Sequence, residues 1–151
     1  MELEELANRS FTLDAVDDLV SAKDYANGIR FRLNGTVYEV LEDEEDGYRS
    51  SARPIQAVHT RPRNVFPPIQ VVGRMGGGCY SEILYLDDAH TSKLVLEVGT
   101  DNSDDYYPGF VASFHPENMV TNAELSKHFS TINAQITGVR GMRRKLVTGE
   151  D

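Results

Sequence analysis

The sequence predicts an α+β domain: a curled antiparallel sheet or small sandwich of six to seven strands, with one helix before it and one after it. Two observations carry this expectation. From Ile29 onward, apolar residues alternate with polar ones and the runs are cut repeatedly by turn residues, as short antiparallel strands require. On either side of that stretch the spacing becomes helical, each time behind a threonine suited to capping a helix N-terminus. A chain of 151 residues is expected to form a single domain that buries about two-thirds of its unfolded surface. Residues 1–11 read as an acidic arm and 138–151 as a tail.

Taken in order, residues 1–9 are a frayed arm or a short helix. Thr12 then serves as N-cap, and Leu13, Val16, Leu19 and Val20 recur at helical spacing with Asp14, Asp17 and Asp18 opposite, which predicts a helix from Leu13 to Ala22. Asn27-Gly28 is a usual helix stop. Ile29, Phe31 and Leu33 next alternate with Arg30 and Arg32, and Asn34-Gly35 tolerates the positive φ of a type I′ turn, so Thr36 to Leu41 should return as the partner strand. The five consecutive acids Glu42 to Asp46, closed by Gly47, form a solvated turn before a strand at Pro54 to Thr60. Pro67-Pro68 restricts the strand Ile69 to Arg74 to a sheet edge, or to starting after the prolines. Gly76 to Gly78 is a flexible loop, Ser81 to Leu86 and Leu94 to Val98 form a second hairpin around Asp87 to Lys93, and Phe110 to Phe114 is the last strand. Thr121 and Glu124 fit a capping box that starts the C-terminal helix.

Charge narrows the function classes. The formal net charge is -9, with 13 acids against 5 bases in residues 1–50 and 2 against 5 in residues 127–151. An acidic body repels phosphate backbones, so nucleic acid is an unsuitable ligand and a protein with a basic surface a suitable one. The same charge also serves solubility. Cys79 is the single cysteine, which precludes an internal disulfide or a thiolate zinc site and points to a reducing compartment. No apolar run approaches the roughly 20 residues of a membrane helix, and the acidic start lacks the basic character of a signal peptide. A cytoplasmic protein is expected.

The stretch Gly99 to Phe110 stands out. An apolar strand runs into Asp101, Asn102, Ser103, Asp104 and Asp105, followed at once by Tyr106, Tyr107 and Pro108. Asp101, Ser103 and Asp105 have the alternate spacing by which a loop can wrap a hard cation. Tyr106 stands where an EF-hand needs Gly and Ala112 where it needs Glu, which excludes that motif. An Asx-rich turn whose side chains bond their own backbone is the plainer account, and no cofactor is expected. Aromatics beside a solvated loop are typical of protein-binding surfaces. A second acidic turn, with Asp43, Glu44, Glu45 and Asp46, also ends in an aromatic, Tyr48, followed by Arg49. If the two turns meet, their carboxylates share one surface. The four histidines, His59, His90, His115 and His128, fall in four separate elements without the i, i+4 spacing of helical metal sites. The Gly76 to Cys79 loop lacks the Gly-Lys-Ser/Thr of a P-loop.

The segments D-G-Y-R-S at Asp46 to Ser50 and G-T-D-N-S-D-D-Y-Y-P at Gly99 to Pro108 resemble signatures of small phage and prophage proteins. The resemblance covers roughly Ile29 to Met119 and implies binding rather than turnover, with host defence nucleases or nucleic-acid-binding machinery as targets. The expectation is therefore a non-enzymatic acidic inhibitor that presents Asp43, Glu44, Glu45, Asp46, Tyr48, Arg49, Asp101, Asn102, Asp104, Asp105, Tyr106 and Tyr107 to a basic host protein. Two alternatives stand beside it. One is a metal-dependent hydrolase or binder of small phosphorylated ligands using the same carboxylates with His59 or His90 and Arg49. The other is a virion assembly component whose arm and tail order on assembly.

Overall fold

The computed structural model describes residues 1–17, 27–43, 51–76, 82–103 and 109–119. Its firmest local element is the hairpin of β2 (Gly28–Leu33) and β3 (Thr36–Asp43). Asn34 and Gly35 take φ of 51° and 87°, the left-handed backbone a two-residue turn needs and that these two residue types tolerate. Alternation then does the rest. Ile29, Phe31 and Leu33 are buried, while Arg30 and Arg32 point to the other face and pair there with Asp17 and Asp14, each at 2.7 Å.

Those aspartates belong to β1 (Ser10–Asp17), which corrects the N-terminal helix: residues 13–17 of the expected Leu13 to Ala22 helix are strand, and residues 18–22 lie outside the described residues. The reason is a β-bulge. Leu13 lies opposite Leu33 and Ala15 opposite Arg32, so Asp14 is one residue too many on β1. The bulge puts Leu13 and Val16 on the buried side three positions apart, a spacing that in sequence passes for a helical turn. Phe11, Leu13, Ala15 and Val16 are all buried.

On its other edge β1 pairs with β6 (Arg63–Gly76). Of the two placements expected for Ile69 to Arg74 the edge is corrected, since β6 also pairs with β7 (Glu82–Asp88) and lies inside the sheet, while the continuous pairing with β1 does begin at Ile69, after the prolines. The prolines are tolerated because the ladder skips them: Leu13 pairs with Ile69 and Ala15 with Asn64, so Val65 to Pro68 bow out opposite the β1 bulge. Phe66, at the crest of this bow, is 79% exposed. From β7 the sheet continues through β8 (Leu94–Asp101) to β9 (Gly109–Phe114). The expected strand Pro54 to Thr60 is reduced to β5 (Gln56–Ala57), which shares the outer edge of β3 with β4 (Ser51–Ala52).

The neighbour order is thus β4-β3-β2-β1-β6-β7-β8-β9, with every pairing antiparallel. Strands β1, β2 and β3 followed by β6 returning beside β1 form a Greek key. The sheet curls without closing, and its concave side holds one core of Phe11, Leu13, Phe31, Val40, Ile55, Ile69, Leu84, Leu86, Leu96 and Val98 with Leu3 and Leu6. Those two leucines come from a 3-10 turn, Leu3–Leu6. It is pinned where the Asn8 N–H donates to the Gly73 carbonyl and the Gly73 N–H to the Arg9 carbonyl. A Cβ on Gly73 would stand 2.2 Å from the Leu6 carbonyl oxygen, so that approach requires glycine. A second 3-10 turn, Pro116–Asn118, follows β9. The C-terminal helix and the 138–151 tail lie outside the described residues. No helix among the described residues is long and apolar enough to cross a membrane.

Candidate functional site

Two places combine charge with geometry. The first is the end of the sheet from which both acidic turns leave. Asp43 and Ser51 are paired at the stem of one, Asp101 and Gly109 at the stem of the other. The curl brings the stems together: the Ala52 N–H donates to Thr100 Oγ1 at 3.0 Å, and β4 packs against both β8 and β9. Next to Thr100, Gly99 is required by the close approach of β7 to β8. Its φ is +149°, and a Cβ there would meet the Glu82 carbonyl oxygen at 2.0 Å and Ile83 Cα at 2.8 Å.

At these stems Glu42, Asp43, Asp101 and Asn102 are half-buried. Glu42 Oε1 accepts hydrogen bonds from the Asn27 backbone and side chain, the latter at 2.9 Å. Asp101 Oδ1 accepts the Ser103 N–H at 2.9 Å, an Asx turn in which the side chain takes over the work of a backbone acceptor. That bond occupies one carboxylate oxygen of the Asp101, Ser103, Asp105 trio. Of the expected partner-binding residues, Asp43, Asp101 and Asn102 are described. Glu44, Glu45, Asp46, Tyr48, Arg49, Asp104, Asp105, Tyr106 and Tyr107 lie outside the described residues. Among the described residues no three His, Cys, Asp or Glu side chains form a group able to hold a metal ion.

The second place is a cleft of about 750 Å³ at the other end of β3. After β5 the Val58 N–H donates to the Val37 carbonyl at 2.9 Å. The chain then crosses from β3 to reach β1, where Arg63 pairs with Val16 and Asn64 with Ala15. The cleft lies between this connection and the outer end of the β2–β3 hairpin. Arg32, Thr36, His59, Thr60, Arg61 and Asn64 supply its polar lining. Arg32 is fixed in place, its Nε donating to Asp14 Oδ1 at 2.7 Å and one terminal nitrogen to Asn64 Oδ1 at 3.3 Å. His59 and Arg61 are exposed. No carboxylate is among the described residues that line the cleft.

The described histidines fall in separate elements. His90 lies in the β7–β8 turn, where buried Asp88 Oδ1 accepts its backbone N–H at 2.7 Å and that of Thr91 at 3.1 Å. His115 leaves β9 to stand between Glu97 and Glu117. Sequence reasoning did not join His59, Arg61, Asn64 and Arg32 into one site. The signal for the first three was H-T-R-P-R-N at residues 59–64, a cationic run inside a chain of net charge -9, while Arg32 lies outside it on β2. Comparison of the chain with family models, curated proteins and solved structures finds no match.

Proposed function

We propose that the chain is a non-enzymatic binding protein that presents its two acidic turns, residues 42–49 and 101–107, as one surface to a partner protein with a basic face. The observation that supports this reading is the hydrogen bond from Ala52 to Thr100, because it ties together the stems from which both turns spring. Turns 58 residues apart in sequence, counted from Asp43 to Asp101, thereby start from one end of one sheet. Carboxylates gathered in this way steer a cationic partner into place and raise its association rate, and tyrosines beside them supply contact area with little entropy to lose. The resemblance to phage proteins favours a host nuclease or another nucleic-acid-binding protein as that partner.

The test replaces Asp101, Asp104 and Asp105 by Asn. Wild type and variant are used as baits for host lysate at low salt, and retained proteins are identified by mass spectrometry. A basic protein held by the wild type should be lost by the variant and released from the wild type as salt is raised, with the thermal midpoint of the bait nearly unchanged. Identical retention by both baits would discard the reading.

A further inference from the structure

We infer that the cleft between the β5–β6 connection and the hairpin turn of β2 and β3 is a binding site for a small phosphorylated ligand, held chiefly by Arg61, His59 and Arg32. The proposal concerns a different end of the molecule from the acidic turns: the eight residues of β3 separate the two by about 23 Å at the rise of an extended strand.

Charge is the first argument. A chain of net charge -9 has carboxylates available to neutralise its cations, and it does so at Arg30, Arg32 and Arg74, which pair with Asp17, Asp14 and Asp87. Arg61 has no acidic partner among the described residues and sits in a cleft whose described lining contains none. A concave wall of one sign concentrates field lines and draws a counter-ion.

Preorganisation is the second. Asp14 and Asn64 take two of the five N–H donors of Arg32 and fix its plane. The remaining donors are held in position before any ligand arrives, which reduces the ordering cost of binding. Because Asn64 Oδ1 accepts from Arg32, its amide nitrogen is left as a donor, and the hydroxyl of exposed Thr36 adds another. Guanidinium groups match phosphate oxygens in a two-point, charge-assisted geometry. Asp14 offsets the charge of Arg32, so Arg61 supplies the net positive charge. Size is the third argument: about 750 Å³ lies within the roughly 300–1,000 Å³ of small-molecule sites.

The experiment is an amide NMR titration of the full chain with pyrophosphate, adenosine monophosphate and adenosine. Pyrophosphate and adenosine monophosphate should each shift the amides of residues 35–37 and 57–61, whereas adenosine should leave them in place. Arg61→Gln and His59→Gln, both at exposed positions, should each weaken that binding by about tenfold, the usual worth of a charge-assisted contact. Arg53→Gln, exposed and outside the cleft, should leave it unchanged. The inference is overturned if neither phosphate compound moves these amides at about 1 mM, if adenosine binds as well as its monophosphate, or if both cleft variants bind as the wild type does. None of these outcomes bears on the acidic turns, since neither variant alters them.

Discussion

His115 is held between two carboxylates, with Nε2 3.0 Å from Glu97 Oε2 and Nδ1 3.3 Å from Glu117 Oε2. The hydrogen bond to Glu97 raises its pKa above the ordinary imidazole value and the one to Glu117 adds to that, while burial opposes both. A folded pKa above the unfolded one means that the folded state holds the proton more tightly. The resulting stability is fully present below about pH 6.5, the unfolded value. It is lost as pH rises through the raised folded value. Replacing His115 by Asn should therefore cost most stability near pH 6 and progressively less in alkaline solution. Urea midpoints of both proteins across that range check it, and a difference independent of pH would refute the assignment. At this scale little of the chemistry was legible. His115 and Glu97 are 18 positions apart, and only the pairing of β8 with β9 makes them neighbours. Arg61 and Arg32 are likewise joined by a connection whose path no local pattern encodes.

Elements were legible where the turn chemistry was local. Asn34-Gly35 specifies the β2–β3 hairpin because its two residues alone satisfy the turn, and the second hairpin, β7 with β8, follows from alternation. Asn34 does more than turn: its Oδ1 accepts the Thr12 N–H at 2.9 Å, and its own N–H donates to the Thr12 carbonyl at 3.1 Å. It thereby ties the hairpin to β1. Asn34→Ala should destabilise the protein by about 2 kcal/mol, since alanine pays about 1 kcal/mol in the left-handed region and Thr12 loses its side-chain acceptor. Chemical denaturation measures this, and a loss within about 0.5 kcal/mol, the ordinary range of surface changes, would contradict it. The β1 helix reading failed for the complementary reason. A bulge at Asp14 shifts side-chain alternation by one, and the spacing of Leu13 and Val16 carries no mark of whether a helix or a bulged strand produced it. Pro67-Pro68 left an edge strand or a start after the prolines open, and the bow that lets prolines into an inner strand depends on that same bulge across the ladder.

At the scale of the whole molecule, the strand-rich antiparallel architecture was legible from composition and turn spacing, but the strand order was not. The Greek-key return of β6 beside β1 and the curl that brings β4 to β8 are long-range choices made by the shared core. Thr100 fastens that open curl by accepting one hydrogen bond from the Ala52 N–H. Thr100→Val keeps the shape and removes the acceptor, so it should cost about 1 kcal/mol and speed hydrogen exchange of the Ala52 amide. Exchange at Ala52 as slow as in the wild type would show that this bond does not hold the stems together. The cleft and the stems of the two acidic turns stand at opposite ends of β3. If the proposed acidic face covers a positive surface, that separation leaves the cleft open to water, and an occupant of the cleft would exchange with solvent without disturbing the complex.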